Sequence, residues 1–381
     1  MLFFFAACFV PAFAVSIIAT GAMRPLAPKW GLVDQPAARK VHVVPTPLGG
    51  GIGIWLGVVL TVASAQLVVW YLSRMETLPG WIPELLRPHL SGVLMQSSKL
   101  WLILGAGTVL FVMGLLDDRF GIPWQPRLLI QLGVACFLVF VVDIRATVFA
   151  PTPWIGATLS VIWLMVLINS VNFLDNMDGL SSGIGLISAT IFAFLMLTGT
   201  AEPRWLVAGM LLILAGSLAG FLVHNRPPAK IFMGDCGSQF LGMMLGCLTL
   251  LGTFYDESTS STHVVLAPLC VLAIPLYDIC SVILIRLSQK RSPFQPDKSH
   301  FSHRLVELGL SKPKAVLTIH LATLTTGVAG ILMYRVSDWT SALLIVGLIL
   351  CVLSIVAILE AAVLHRPNAK DSATANPNEE L

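Results

Sequence analysis

The chain has 381 residues, 56% of them hydrophobic and only 11% charged. Soluble domains are about a quarter charged, so this composition excludes a soluble enzyme and points to an all-α polytopic membrane protein. The net charge of +3 provides no basic field for nucleic acid, which is not an expected partner.

Residues 1–20 are apolar, and Ala12-Phe13-Ala14 has the form of a signal-peptidase site. No basic residue precedes the run, while Arg24 and Lys29 follow it. That is the reverse of a signal peptide, so a retained first transmembrane helix is expected. Further apolar runs lie at 49–71, 99–116, 128–142, 154–171, 179–199, 204–223, 238–253, 263–286, 314–334 and 340–364. With the first they make about 11 spans. Residues 1–365 read as one transmembrane catalytic domain, and 366–381 as a disordered tail rich in Asn, Ala, Asp, Ser and Glu. Six of the seven cysteines sit in apolar runs and none has CxxC spacing. Neither a disulfide frame nor a zinc site is indicated, and Cys236 reads as a small filler.

Most of the 23 Lys and Arg residues fall on one set of alternating loops, from Arg24 and Lys29 through Arg119, Lys230 and Arg291 to Arg366. The positive-inside rule makes that side cytoplasmic, with the N-terminus outside and the C-terminus inside. The location expected is the inner (plasma) membrane. Three acidic clusters then fall together on the cytoplasmic face: Asp117-Asp118, Asn172 to Gly179, and Gly234-Asp235-Cys236-Gly237-Ser238. The His-bearing loop from about 287 to 313 lies on the same face.

Polar groups at apolar helix ends are expensive and mark substrate or ion sites. Asp117, Asp118, Asp175, Asp178 and Asp235 would repel one another unless neutralised. Carboxylate and amide oxygens suit magnesium, with manganese possible. Magnesium takes only one or two protein carboxylates with substrate phosphates, so most of these acids should have other tasks. Acids with a metal, ringed by Lys40, Arg119, Lys230, Lys298 and Arg304, have the composition of a phosphoryl-transfer site. Gly234 to Ser238 opens a helix whose amides and dipole would favour an anion. Taken singly, each cluster has a structural reading: Asp117-Asp118 a salt-bridged loop, Asp235 a helix cap, His300 and His303 surface histidines. Asp278 reads as a structural partner of Arg286.

These residues carry a family pattern. The chain resembles the polyprenyl-phosphate N-acetylhexosamine-1-phosphate transferases, membrane enzymes that start glycan assembly on a lipid carrier. The resemblance runs through Gly31 to Pro36 with Arg39-Lys40 and His42, Pro47 to Gly50, Gly114 to Arg119, Gln131, Asn169 to Gly179, Asn225, Lys230 to Ser238, and Ser292 to Leu305. It implies a fold of eleven helices with a cytoplasmic active site. It also implies transfer of a sugar 1-phosphate from a UDP-sugar to a polyprenyl phosphate, with release of UMP, and a possible homodimer. By the resemblance, Asn172 and Asp235 hold magnesium, and Asp117 and Asp118 sit where the lipid phosphate attacks, with Asp175 among the catalytic acids. Asp178, Asn225 and Phe232 form a uridine pocket. Lys40, His300, His303 and Arg304 contact substrate.

A phosphate monoester has its second pKa near 6, so the acceptor is mostly dianionic at neutral pH. Direct attack on the β-phosphorus is therefore favoured, with Asp117 positioning the nucleophile or taking a residual proton. A covalent aspartyl phosphate on Asp117 or Asp118 is the alternative. The chain departs from the family pattern at Asn176, where Gly is usual, and at Ser302, where a His is usual. If the Gly position has φ > 0, Asn is the next best residue. Separated His300 and His303, with Arg39-Lys40 and His42, favour the N-acetylglucosamine branch over the branch that uses UDP-MurNAc-pentapeptide, while UDP-GalNAc stays open. A cation-coupled transporter would instead place its acids near the bilayer midplane on broken helices. A CDP-alcohol phosphotransferase would need an Asp-Gly-x-x-Ala-Arg run, which the chain lacks.

Overall fold

The computed structural model describes residues 1–35, 44–80, 82, 84–146, 152–199, 202–252, 262–293 and 299–364. Lys40, with Arg39, His42 and Lys298, lies outside the described residues, as does the tail 366–381. The elements are nearly all helical, because a backbone in lipid must satisfy its own hydrogen bonds. The long helices are α1 (Leu2–Leu26), α2 (Gly50–Leu72), α4 (Ser97–Phe120), α5 (Trp124–Cys136), α6 (Pro153–Leu174), α7 (Leu180–Thr198), α8 (Trp205–Asn225), α9 (Gly234–Leu251), α11 (Ala273–Ser288), α13 (Lys312–Leu332) and α14 (Trp339–Leu364). Shorter ones are α3 (Leu90–Met95), α10 (Ala267–Val271) and α12 (Phe301–Glu307). The described strands, β1 (Val33–Asp34) and β2 (Thr46–Pro47), form one antiparallel pair.

Among the described residues, nine helices are long and apolar enough to cross a membrane. The run at 128–142 is one of them, because α5 continues as a π turn through Phe137–Val141. The run at 263–286 is not the continuous helix expected. It breaks between α10 and α11 with a bend of 67°. Pro275 explains the break: it has no N–H for the carbonyl four residues back, and its ring crowds that carbonyl. The straightened pair would make a tenth span.

Helix α9 is the centre of the bundle. Its residues from Cys236 to Thr249 are buried, and α2, α4, α6, α7 and α8 all touch it. Small residues allow the close approach, as membrane helices without a hydrophobic drive between them require. A Cβ on Gly242 would lie 2.6 Å from the Leu167 carbonyl oxygen of α6. A side chain on Gly51 of α2 or Gly114 of α4 would overlap the α9 backbone. Helices α1 and α8 approach as closely, and Ser16 Oγ donates to the Ser217 carbonyl (2.6 Å).

A Cβ at Gly220 of α8 would stand 2.5 Å from the Phe13 carbonyl oxygen and 2.9 Å from the Ile17 amide. Gly220→Leu is expected to prise α1 from α8, by the cost of overpacking or more. Thermal unfolding in detergent should show a lowered midpoint; a midpoint equal to wild type would refute the packing described.

Candidate active site

The C-terminal ends of α4 and α6 and the N-terminal ends of α5 and α9 meet at one end of the bundle. Asp118 makes the closest join. Its carboxylate accepts the Asp235 amide (Oδ1, 2.8 Å) and the Cys236 amide (Oδ2, 3.3 Å). Helix N-termini present unpaired N–H groups and a positive dipole end. The anion seat expected at Gly234 to Ser238 therefore exists, but Asp118 of the protein fills it. Gly234 makes this possible. It has φ 75°, and a Cβ there would overlap the Asp118 carboxylate.

Asp117, with its side chain 7% exposed, is held differently. Its Oδ1 accepts the Ile122 amide (2.6 Å), and its Oδ2 pairs with Arg127 (2.5 Å). The same Arg127 nitrogen reaches Asp235 Oδ2 at 3.0 Å. Arg127 on α5 is thus a site residue that the motif comparison did not assign. The exposed Arg119 lies over the Phe120 ring instead.

Asn172 donates to Asp235 Oδ1 (2.8 Å) and to Ser238 Oγ (2.9 Å). Beneath them runs a ladder of side-chain amides. Asn169 donates to Gln131 (2.9 Å), and Gln131 to Gln239 (3.1 Å), joining α6, α5 and α9. Asn169 and Asn172 are three apart and Asp235 and Gln239 four apart, so each pair shares a helix face. That spacing was the available signal for the ladder.

Asp175 follows α6 and sits among the acids. Burial, and then the charges of Asp118 and Asp178, push its pKa up to about 7, against the Gly234 amide that lowers it. In the turn that follows, the positive φ falls on Gly179 (74°), not on Asn176. Asn176 donates to the Phe173 carbonyl (2.8 Å) and accepts Ser302 Oγ (2.5 Å). The two departures from the family pattern are therefore bonded to each other.

Asn225 and Asp178 tie this turn to the 226–233 loop. Asn225 accepts the Gly179 amide (2.9 Å) and the Ser182 hydroxyl (3.2 Å), and donates to the Ile231 carbonyl (3.0 Å). Its amide is buried and engaged on both sides, so it supports the loop instead of facing a base as expected. Asp178 accepts the Ala229 amide (2.9 Å). Phe232 is half-buried. Its amide donates to the Pro47 carbonyl and its own carbonyl accepts the Gly50 amide, each at 2.9 Å. This gives the Pro47 to Gly50 motif its task of holding that loop.

Helix α12 brings the histidines. Asp278, fully buried, takes His300 Nδ1 (3.0 Å) and the Phe301 amide (2.6 Å). It is structural as expected, but with α12 as its partner. Arg286 donates to the Pro293 carbonyl and lies over the Phe173 ring. The His300 ring stands edge-on to Phe173, centroids 5.6 Å apart, and 6.3 Å from that of His303. Phe173 follows Asn172, so α12 is applied to the acidic end through this residue. Arg304 departs from expectation. It is 4% exposed, and it points into the protein to meet Glu360 (3.1 Å), Ser281 Oγ (2.8 Å) and the Ser299 carbonyl. The physical reason is a buried counter-ion on α14 that substrate would have to displace.

The family profile of glycosyl transferase family 4 matches residues 100–253, which include Asp117, Asp118, Asn172, Asp175, Asn225 and Asp235. A protein of Bacillus subtilis (strain 168), named a probable undecaprenyl-phosphate N-acetylglucosaminyl 1-phosphate transferase, is 32% identical over 352 residues, covering 90% of this chain and 89% of that one. The chain belongs to this family of polyprenyl-phosphate N-acetylglucosaminyl 1-phosphate transferases. The decaprenyl-phosphate N-acetylglucosaminephosphotransferase of Mycolicibacterium smegmatis is 33% identical over 81% of this chain and 76% of its own length. The undecaprenyl-phosphate alpha-N-acetylglucosaminyl 1-phosphate transferase of Escherichia coli (strain K12) is 29% identical over 83% and 81%.

Two predictions follow from the geometry of this transferase. Gly234→Ala displaces the Asp118 carboxylate and forces a left-handed Ala; activity should fall by about 100-fold or more, the scale of a small misplacement at a reacting centre. A near-wild-type rate in steady-state assays would refute the cap. For Asp175, a raised folded pKa means that the folded state holds its proton more tightly than the unfolded chain. The associated stability is present at low pH and is lost as pH rises through about 7. Without divalent ions, Asp175→Asn should therefore raise the melting midpoint by several degrees at pH 8 and by less at pH 5. An equal gain at both would show that Asp175 titrates normally.

Proposed function

We propose that this transferase moves N-acetylglucosamine 1-phosphate from UDP-GlcNAc to polyprenyl (undecaprenyl) phosphate, releasing UMP, as the first membrane step of a cell-envelope glycan. The observation that carries this reading is the meeting of Asp117, Asp118, Asn172, Asp175, Asp235 and Arg127 at one end of the bundle, in a chain whose relatives bear the names given above. We read α9 as the eleventh span, enclosed by its neighbours. The N-terminus is then outside, and the acidic end faces the cytoplasm across the inner membrane.

The donor set fits magnesium. The Asp235 carboxylate, the Asn172 side-chain amide and the Ser238 hydroxyl lie together and each carries a hard oxygen, although Asn172 here turns its NH2 to the other two and would have to present its oxygen to the ion. Among the described residues, no three His, Cys, Asp or Glu side chains gather to hold a metal by themselves. An ion here would have to be completed by water and substrate phosphate. When bound, magnesium would neutralise the pyrophosphate and polarise the phosphorus under attack.

The protein's own groups divide the remaining work. Both oxygens of Asp118 are bonded to α9 amides, and both of Asp117 are held by Ile122 and Arg127. A carboxylate so engaged is a poor nucleophile, which favours direct attack by the lipid phosphate over an aspartyl phosphate. Asp175, which sits among the acids at the same end, is the carboxyl assigned here to take a residual proton. Arg127 offers the guanidinium that an incoming phosphate needs among so many acids. Phe232, whose backbone is held by Pro47 and Gly50, is the ring assigned to stack on uracil. His300 and His303 border the sugar-phosphate side.

The test is UMP release by purified protein in detergent with polyprenyl phosphate, magnesium and UDP-GlcNAc. Release should need the lipid, should stop with EDTA, and should fall by about 100-fold or more in Asp235→Ala. Folded protein that releases no UMP from UDP-GlcNAc would refute the sugar assignment, and UDP-GalNAc in the same assay would show whether the reaction class survives.

A further inference from the structure

Helix α14 crosses 26 residues with a single charged side chain, Glu360. A lone ionisable group inside an apolar span is costly and calls for a functional account with a named partner. Glu360 is 5% exposed and Arg304 of α12 is 4% exposed, and they pair at 3.1 Å. Tyr277 of α11 donates its hydroxyl to Glu360 Oε2 (2.7 Å), and the Arg304 guanidinium lies 5.9 Å from the Tyr277 ring centre. Ser281 of α11 accepts from Arg304 at 2.8 Å. Three helices thus converge on one buried ion pair.

The pair is not well built for stability. Glu360 Oε1 is buried without a hydrogen-bond partner among the described residues, and the Arg304 Nε to Glu360 Oε2 contact is an ion pair without hydrogen-bond alignment. Buried pairs of this kind can often be replaced by apolar side chains at no loss of stability. Their value lies more in fixing one geometry, and here something needs fixing. Helix α12 has seven residues, too few to hold itself together in isolation. Its position depends on its anchors. Asp278 holds its first turn, Phe301 packs against Tyr277 with ring centroids 5.5 Å apart, and Arg304 holds its next turn. His303 lies on this one short element and His300 stands at its N-terminal cap.

We propose that Glu360 is a positioning residue for the transfer reaction: through Arg304 it fixes α12 and so presents His300 and His303 to the acidic end of the bundle. The inference rests on the function proposed above for those histidines. It explains why Arg304 faces away from the acids, and why the last helix carries a carboxylate at all.

Glu360→Gln keeps the size and the Tyr277 contact but removes the charge. Its kcat/KM for UDP-GlcNAc should fall roughly 10- to 100-fold, the cost of a small misplacement, while KM for polyprenyl phosphate stays within about twofold. Glu360→Asp should recover part of the loss. The double variant Glu360→Gln with His303→Ala should lose less than the product of the two single losses, because residues acting through one another are not additive, the remainder being the His300 share. Hydrogen exchange over residues 300–308 should accelerate in Glu360→Gln and stay unchanged elsewhere. Unchanged kcat/KM, multiplied losses in the double variant, or a general loss of protection would each overturn the proposal. If wild-type protein releases no UMP, the proposed function fails, and the exchange experiment alone decides whether Glu360 anchors α12.

Discussion

The contact between the Asp118 carboxylate and the first turn of α9 is the constraint on which the rest of the site depends. It places a negative charge where a helix N-terminus wants one, and it uses up both oxygens in doing so. With Asp118 spent on α9, Asp235 in that first turn faces outward to Asn172 and Arg127. Gly234 lets the two elements come this close, and Gly114 and Gly51 allow α4 and α2 to follow. The acids are thereby sorted into a cap, a salt-bridged partner and a group that titrates near neutrality. A cluster that looks uniform in the sequence is a set of different tools.

Much of this was legible in the sequence. The apolar runs gave the helices, and their polar ends gave the candidate site, because both signals come from the same rule that charge is costly in lipid. The structure brings Asp117, Asp118, Asn172, Asp175 and Asp235 together. What the sequence could not settle was who satisfies whom. Asn225 was expected at a base and is found bonding the Gly179 amide and the Ile231 carbonyl. Arg304 was expected at substrate, and its counter-ion lies 56 residues further along the chain. The bend at Leu272 was hidden because hydropathy averages over the proline that causes it.

Loop packing was the other concealed layer. The motif from Pro47 to Gly50 carries no reactive group, yet its backbone holds Phe232 on both sides. Asn176 and Ser302 look like two unrelated departures from a pattern, and they meet at 2.5 Å. Such relations belong to pairs of residues, and a single sequence displays residues one at a time.

The enclosure of α9 also has a consequence for biosynthesis. Chains are made from the N-terminus, so α4 enters the membrane 117 residues before the amide that Asp118 will cap. Until α9 arrives, that carboxylate and Gln131 have no α9 partner to meet. The central helix of the finished bundle is therefore a late insertion into a slot already bounded by α2, α4, α6, α7 and α8. Assembly itself becomes a checkpoint: a chain whose slot is misshapen cannot seat α9, and it exposes polar groups to lipid before it ever meets substrate.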